Sequence, residues 1–385
     1  MEKTAKRILV LLILMISALL VTPLFAKPKA AKAVDPVAAV TKLAPVTQLA
    51  KNPTEGVYYS LFVRSFADGN GDGIGDINGL ISKLDYINSD SDKSLGCTGI
   101  WLMPIMKSTT YHKYDATNYC EIDEDYGTIE DFKKLVEECH KRDIRIIIDF
   151  MMNHSSVEHD WFFEACMYLK ELEKGQKPSA EECPYFDYYH FVKEEDVVGT
   201  TYYPIDGTKW YYEGSFWSGM PDLNLESEAV RGEFEDAAKF WMDLGVDGFR
   251  IDGVKYFTGS EKKNISILKW FNNYVKSENE DAYIVGEIWD DVTLATKYLE
   301  GGMYSVFDFS FGQSSGKIVG TVRQAASGTA GKSFANALVQ IQDIVKKVKL
   351  SSIEHELANT QDWSRCQELI QQKKEILKLN LVLNS

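Results

Sequence analysis

Gly245-Val246-Asp247-Gly248-Phe249-Arg250-Ile251-Asp252-Gly253-Val254-Lys255 is the stretch that decides how this chain is read. Val246, Phe249 and Ile251 are apolar and glycines flank them, as in a short strand of a buried sheet. The strand then ends in charge. Arg250 and Asp252 are two residues apart, so on a strand they share a face and can touch. A guanidinium beside a carboxylate favours the ionised form and fixes its orientation. Such a pair is either a structural ion pair or a carboxylate held ready to attack, and the surrounding sequence has to choose.

Outward from this strand the chain alternates. Val57–Phe66 (VYYSLFVRSF) reads as a first strand, followed by a helical pattern over 76–88. Thr98–Pro104 is a second strand, 128–142 a helix, and Ile144–Phe150 a third strand that is almost wholly apolar. The rhythm breaks over Met151–Leu225, a long aromatic stretch that reads as a large loop or a small inserted domain. It resumes with a helix over 226–244, the strand quoted above, a helix over 261–276, a strand at Ala282–Trp289 and a sixth at Met303–Phe309. Apolar strands alternating with helices predict a parallel α/β sheet, either doubly wound or a (β/α)8 barrel. Asp149, Asp252 and Glu287 all fall near strand C-termini. A barrel gathers every such end at one mouth, and no Gly-x-Gly-x-x-Gly opens the first helix, so the barrel is expected.

The carboxylates sit in contrasting surroundings. Glu287 lies in Val285-Gly286-Glu287-Ile288-Trp289, where apolar neighbours would raise its pKa as a general acid requires; Asp252, beside Arg250, is expected to stay ionised. Two carboxyls with opposed environments suit glycosidic cleavage, with retention at a separation of about 5–5.5 Å and inversion at about 6.5–9.5 Å.

Asp149-Phe-Met-Met-Asn153-His154, Gly248-Phe-Arg250-Ile-Asp252-Gly-Val-Lys255 and Gly286-Glu287-Ile-Trp289 occur in this order. Together they resemble three signature regions of the α-amylase family of glycoside hydrolases. The resemblance implies a barrel spanning 52–348 with a small domain inserted at about 155–225. It implies a retaining mechanism with Asp252 as nucleophile, Glu287 as acid/base and Arg250 orienting Asp252. His112, Tyr114, Asp149, His154 and Lys255 would bind the sugar, Tyr114 as a stacking platform within Tyr111-His112-Lys113-Tyr114-Asp115. Met220-Pro-Asp222-Leu-Asn224 is similar to the branch between oligo-1,6-glucosidases and neopullulanases, which points to maltooligosaccharides or related α-glucans. A transglycosylase or sugar isomerase, and a non-catalytic carbohydrate-binding protein, are the competing functions.

Asp68-Gly-Asn70-Gly-Asp72-Gly-Ile74-Gly-Asp76 places oxygen donors at alternate positions with glycines between, which is calcium chemistry. It resembles the calcium loop after the first strand in this branch, with Asp68, Asn70, Asp72 and Asp76 ligating by side chain and Ile74 by its carbonyl. The family's other calcium site uses a His where this chain has Tyr256, so the resemblance does not carry that site.

The family's third carboxylate, in an Asn-His-Asp segment on a seventh strand, has no counterpart here. The sequence changes character after Val348, and 349–385 read as an aberrant tail from a truncated or frameshifted frame. The chain is therefore expected to form about six strand–helix units, with exposed strand edges and impaired activity.

Composition sets the remaining bounds. A net charge of −15 speaks against nucleic acid as a partner. Lys3, Lys6 and Arg7 precede an apolar run over 8–21 and then Leu24-Phe25-Ala26, the pattern of a signal peptide ending at residue 26. Residues 27–51 read as a linker. A secreted, periplasmic or cell-surface protein is expected, with no membrane contact after cleavage. The 6 cysteines include no C-x-x-C pair, so no zinc or redox motif is indicated.

Overall fold

The computed structural model describes residues 56–172, 175–303, 305–312, 316–317, 319–320, 330–360, 364–365 and 367–372. The expected signal peptide and linker, and part of the expected tail, lie outside these residues.

A 6-stranded sheet organises the chain. Its strands are β1 (Tyr58–Leu61), β2 (Gly99–Leu102), β5 (Arg145–Phe150), β9 (Gly248–Ile251), β10 (Tyr283–Gly286) and β11 (Ser305–Val306), hydrogen-bonded in that order. Every pairing is parallel. The sheet curls: Tyr58 of β1 stacks on Tyr283 of β10 with ring centroids 5.0 Å apart, although three strands lie between them. This is the expected incomplete (β/α)8 barrel, with β1 and β11 at the edges of the described sheet.

Strand periodicity separates two cores. On β5, Ile146, Ile148 and Phe150 point outward and pack under the helices, while Ile147 points inward. On β9, Phe249 and Ile251 point outward and leave Arg250 inside. The interior cluster is Ile147, Tyr283 and Val285, with Tyr58, Trp101 and Phe307 against it. Each fully buried aliphatic or aromatic side chain contributes about 1.5–3 kcal/mol. Gly248 is required where β9 meets β10: its φ is +153°, and a Cβ there would lie 1.9 Å from the carbonyl oxygen of Tyr283.

Several boundaries differ from the sequence expectation. The first strand is only four residues long, because the chain turns into a one-turn helix at Val63–Phe66. The helix expected over 76–88 is two helices, α1 (Ile77–Ile81) and α2 (Leu84–Ile87), with a break at Lys83 (φ −113°, ψ 4°). An unanticipated antiparallel hairpin follows β2, formed by β3 (Met106–Ser108) and β4 (Ala116–Ile122). Helix α3 (Ile129–His140) starts in a capping box of Thr128 and Asp131.

The interruption after β5 is a small domain with structure of its own. Helix α4 (Asp160–Glu171) packs beside a 3-stranded antiparallel sheet, in the order β6 (Phe191–Lys193), β8 (Trp210–Glu213), β7 (Tyr202–Pro204). Its aromatic richness is core: Phe162, Tyr189, Phe191 and Tyr212 meet ring to ring. Helices α5 (Glu228–Asp243) and α6 (Glu261–Glu278) flank β9, and α7 (Val292–Lys297) follows β10. Helix α8 (Ala330–Asn359) runs unbroken through positions 348–349, where the tail was expected to begin. Beyond the junction Ile353 and Leu369 are buried in a small cluster with Leu350 and Leu357.

Candidate active site

Parallel register builds the site. Asp149 on β5 lies opposite Arg250 on β9, and Arg250 lies opposite Val285 on β10. One step of two residues further on, Asp252 and Glu287 leave their strands on the inward face and meet. Gly253, in the left-handed region at φ +55°, turns the chain away directly after Asp252, and its N–H donates to Glu287 Oε2 at 3.2 Å.

Arg250 is the hub. Its Nη1 donates to Asp149 Oδ1 at 2.6 Å and also to Asp252 Oδ1, and its Nη2 pairs with Glu287 Oε1 at 2.8 Å. Trp101 and Phe307 cover the guanidinium, with ring centroids 5.2 and 5.7 Å from it. The second Asp149 oxygen accepts from Tyr114 Oη at 3.2 Å and from Trp101 Nε1 at 3.3 Å.

One buried guanidinium cannot neutralise three carboxylates. Burial pushes Asp149 up to about 7, against the pull of Arg250. Burial raises Glu287, and the neighbouring Asp252 adds to the rise, as expected for an acid. Asp252 is raised too, again by burial, with Arg250 acting the other way. Here the sequence expectation needs correction. Arg250 orients Asp252, but because it is shared it does not hold Asp252 in the ordinary carboxylate range.

The remaining candidate residues divide. Tyr114 joins the cluster through Asp149, and burial pushes its hydroxyl pKa far up, so it stays protonated and donates to that carboxylate. His112 lies beside it, rings 6.0 Å apart, and its Nδ1 accepts the main-chain N–H of Tyr114 at 3.1 Å, leaving the proton on Nε2. His154 is buried, and among the described residues neither ring nitrogen has a hydrogen-bond partner. Burial lowers it to about 4, so it is neutral and available to a polar ligand. Lys255 stands apart from the carboxylates. It pairs with Asp290 at 2.8 Å and lines a cavity of ≈ 490 Å³ with Asp222, Tyr256 and His190.

Trp101, Phe307 and Phe216 were not singled out from sequence. Inward alternation on β2 and past β11 is the signal that marks the first two. Phe216 comes from the inserted domain and packs edge-on to His154 at 5.1 Å, a contact with no local signature.

The acidic loop after β1 is curled by its own side chains. Asp68 accepts the N–H groups of Asn70, Gly71 and Gly73, and those of Gly71 and Gly73 hold it below the usual carboxylate range. Asp72 accepts from Ile74 N at 2.7 Å and from Asn70 Nδ2 at 3.0 Å. Asp76 is the N-cap of α1, with its other oxygen on Gly69 and Asn70. The donor set is all oxygen, which fits a hard cation. Among the described residues no three acidic, His or Cys side chains converge as a metal cage.

The family model of the α-amylase catalytic domain matches residues 60–383. The chain belongs to the α-amylase family. The family named from the three motifs is thus borne out, and so is the branch. Alpha-amylase 3 of Dictyoglomus thermophilum is 42% identical over 253 residues, covering 66% of this chain and 47% of that protein. The oligo-1,6-glucosidase of Bacillus cereus is 37% identical over 221 residues, covering 54% and 36%. Among solved structures, Eubacterium rectale Amy13B matches with a TM-score of 0.70 and 48% identity, over 76% of this chain and 55% of that one. The chain spans about half the length, or less, of the curated relatives it matches.

Proposed function

We propose that this α-amylase-family chain acts on α-glucosidic bonds of maltooligosaccharides or related α-glucans, by double displacement with retention. One observation carries the proposal: a single guanidinium, that of Arg250, binds both Asp252 and Glu287 at the strand ends. Inversion needs room for a water between the carboxyls, and two carboxyls held by one guanidinium support the closer, retaining spacing instead. In the first step Glu287 gives its proton to the glycosidic oxygen while Asp252 attacks the anomeric carbon and the leaving sugar departs. In the second, Glu287 takes a proton from water, which attacks the same carbon and releases Asp252. Arg250 orients the nucleophile, Tyr114 and His112 shape the sugar site, and the unpartnered nitrogens of His154 supply hydrogen bonds to hydroxyls.

The 385 residues contain no Asn-His-Asp segment, so this chain is proposed to turn over weakly. An aryl α-glucoside assayed beside the Dictyoglomus relative should show kcat about 100- to 1,000-fold lower, the usual loss for one charge-stabilising group. Maltotriose hydrolysis followed by proton NMR should release the α-anomer first. A β-anomer would overturn retention, and equal rates would overturn the impairment. Transfer to a second sugar instead of water is read in the same spectra with excess acceptor. The isomaltulose synthase of Erwinia rhapontici, 30% identical with a TM-score of 0.58, makes that control worthwhile.

We further propose that Asp68, Asn70, Asp72 and Asp76, with the carbonyl of Ile74, hold calcium. The all-oxygen donor set supports this, and the ion would supply positive charge that fixes the loop against α1. Millimolar calcium should raise the unfolding temperature by several degrees in the unaltered protein and not in Asp68→Asn, an effect that scales with binding free energy. Equal shifts in both proteins, or none in either, would remove calcium from the loop.

A further inference from the structure

The buried lysine of the hairpin turn between β3 and β4 has no role in the chemistry above, yet it is held by unusual means. Lys113 is 2% exposed and adopts φ +60°, a left-handed conformation that residues bearing a side chain rarely take. Its ammonium pairs with Asp123 Oδ1 at 2.8 Å and Asp125 Oδ2 at 3.3 Å, donates to the carbonyl of Thr110 at 3.4 Å, and lies 5.2 Å from the centroid of the Tyr126 ring. Both carboxylates are themselves braced. Asp123 accepts the N–H groups of Ser108 and Asp125, and Asp125 binds Arg64, which follows β1, at 2.8 Å.

A buried ion pair is seldom a net source of stability, because desolvation offsets the attraction. Its better-attested use is to fix one conformation. Here the conformation fixed is that of the residues on either side. The left-handed turn at Lys113 sends its own side chain back toward Asp123 and Asp125. His112 and Tyr114 lie on the other side, where the imidazole closes on the Tyr114 N–H and the phenol reaches Asp149. The Thr110 carbonyl bound by the ammonium belongs to the residue whose hydroxyl contacts both His112 Nδ1 and Asp115.

We propose that Lys113 is a positioning residue. Its ion pairs, a buried one with Asp123 and a half-exposed one with Asp125, lock the turn that presents His112 and Tyr114 to the carboxylate cluster, and so set the affinity of the first sugar site. The sugar part of this inference rests on the glucan reading above; the positioning part does not.

The test uses the full chain and the paired variant Lys113→Met/Asp123→Asn, which removes both charges and strands neither. Hydrogen exchange measured by mass spectrometry on peptides covering 109–116, without sugar, should accelerate at least about tenfold, since ion pairs that select one local conformation also set its opening. Peptides from β5 and β9 should keep their rates, which shows that the fold persists. Calorimetric affinity for maltotriose should fall about 10- to 100-fold, the scale of a misplacement near 1 Å. In a Tyr114→Ala background the same paired change should cost much less, because a residue acting through Tyr114 is non-additive with it. Unchanged exchange over 109–116 overturns the proposal, as do additive losses with Tyr114→Ala. Accelerated exchange in a protein that binds no maltotriose upholds the positioning role and overturns the glucan reading alone.

Discussion

Arg250→Met is expected to lower stability by about 3–5 kcal/mol at pH 8, the usual result of removing one partner from a buried ionic cluster. Met keeps much of the volume between Trp101 and Phe307, so the loss is electrostatic more than steric. Asp149, Asp252 and Glu287 would be left with no cation in a site where Asp149 is wholly buried. The loss should depend on pH, and its sign follows from Asp149. That carboxyl has its pKa raised by burial from 3.8 to about 7 in the folded chain. A raised carboxyl favours the folded state fully below its unfolded value, and the contribution is lost as pH rises through the folded value. Without Arg250 the folded value goes higher still. The variant should therefore approach the unaltered protein near pH 5 and diverge from it above pH 7. Urea midpoints at the two pH values measure this; equal midpoints at pH 8 would show that Arg250 does not hold the cluster together.

The second large effect is catalytic, and it divides the two carboxyls by leaving group. Asp252→Asn should abolish turnover of every α-glucoside, a loss on the order of 10⁴-fold or more, because the covalent intermediate cannot form. Glu287→Gln should lower kcat on maltooligosaccharides by about 10²- to 10⁴-fold, the range for a positioned acid or base. On an aryl glucoside whose phenol leaves without protonation, Glu287→Gln should spare formation of the intermediate and slow only its hydrolysis. A burst of phenol followed by a slow steady state is the expected trace. Equal losses on both substrates would take the acid role from Glu287. The acid limb of kcat/KM should lie above the ordinary carboxylate range, since burial raises Asp252 and the nucleophile works only when ionised. A sensitive fluorogenic glucoside is the right substrate for both tests, because the proposed rate of this chain is low.

Much of the site was legible because strand periodicity is local. Arg250 and Asp252 are two residues apart, and a period of two places them on one face whatever the rest of the chain does. The mouth of the barrel was legible for a related reason: parallel strands joined by helices put all their C-terminal ends together, so Asp149, Asp252 and Glu287 had to converge. The hairpin of β3 and β4 was not legible. Its strands alternate poorly, with a register shift at Lys107, and the turn between them depends on a lysine held in the left-handed region by Asp123 and Asp125. Nothing in local propensity favours that conformation for lysine.

The sequence by itself determined the family, the parallel order of strands and the placing of three carboxyls at strand ends. These follow from short-range patterns that survive in one dimension. Tertiary structure decided how charge is distributed among them. Asp252 looked like a carboxylate kept ionised by its own arginine. In the folded chain that arginine is shared with Asp149 from β5 and Glu287 from beyond β10, and Asp149 and Asp252 are buried. Burial and sharing are sums over distant parts of the chain, and no stretch of residues carries them alone.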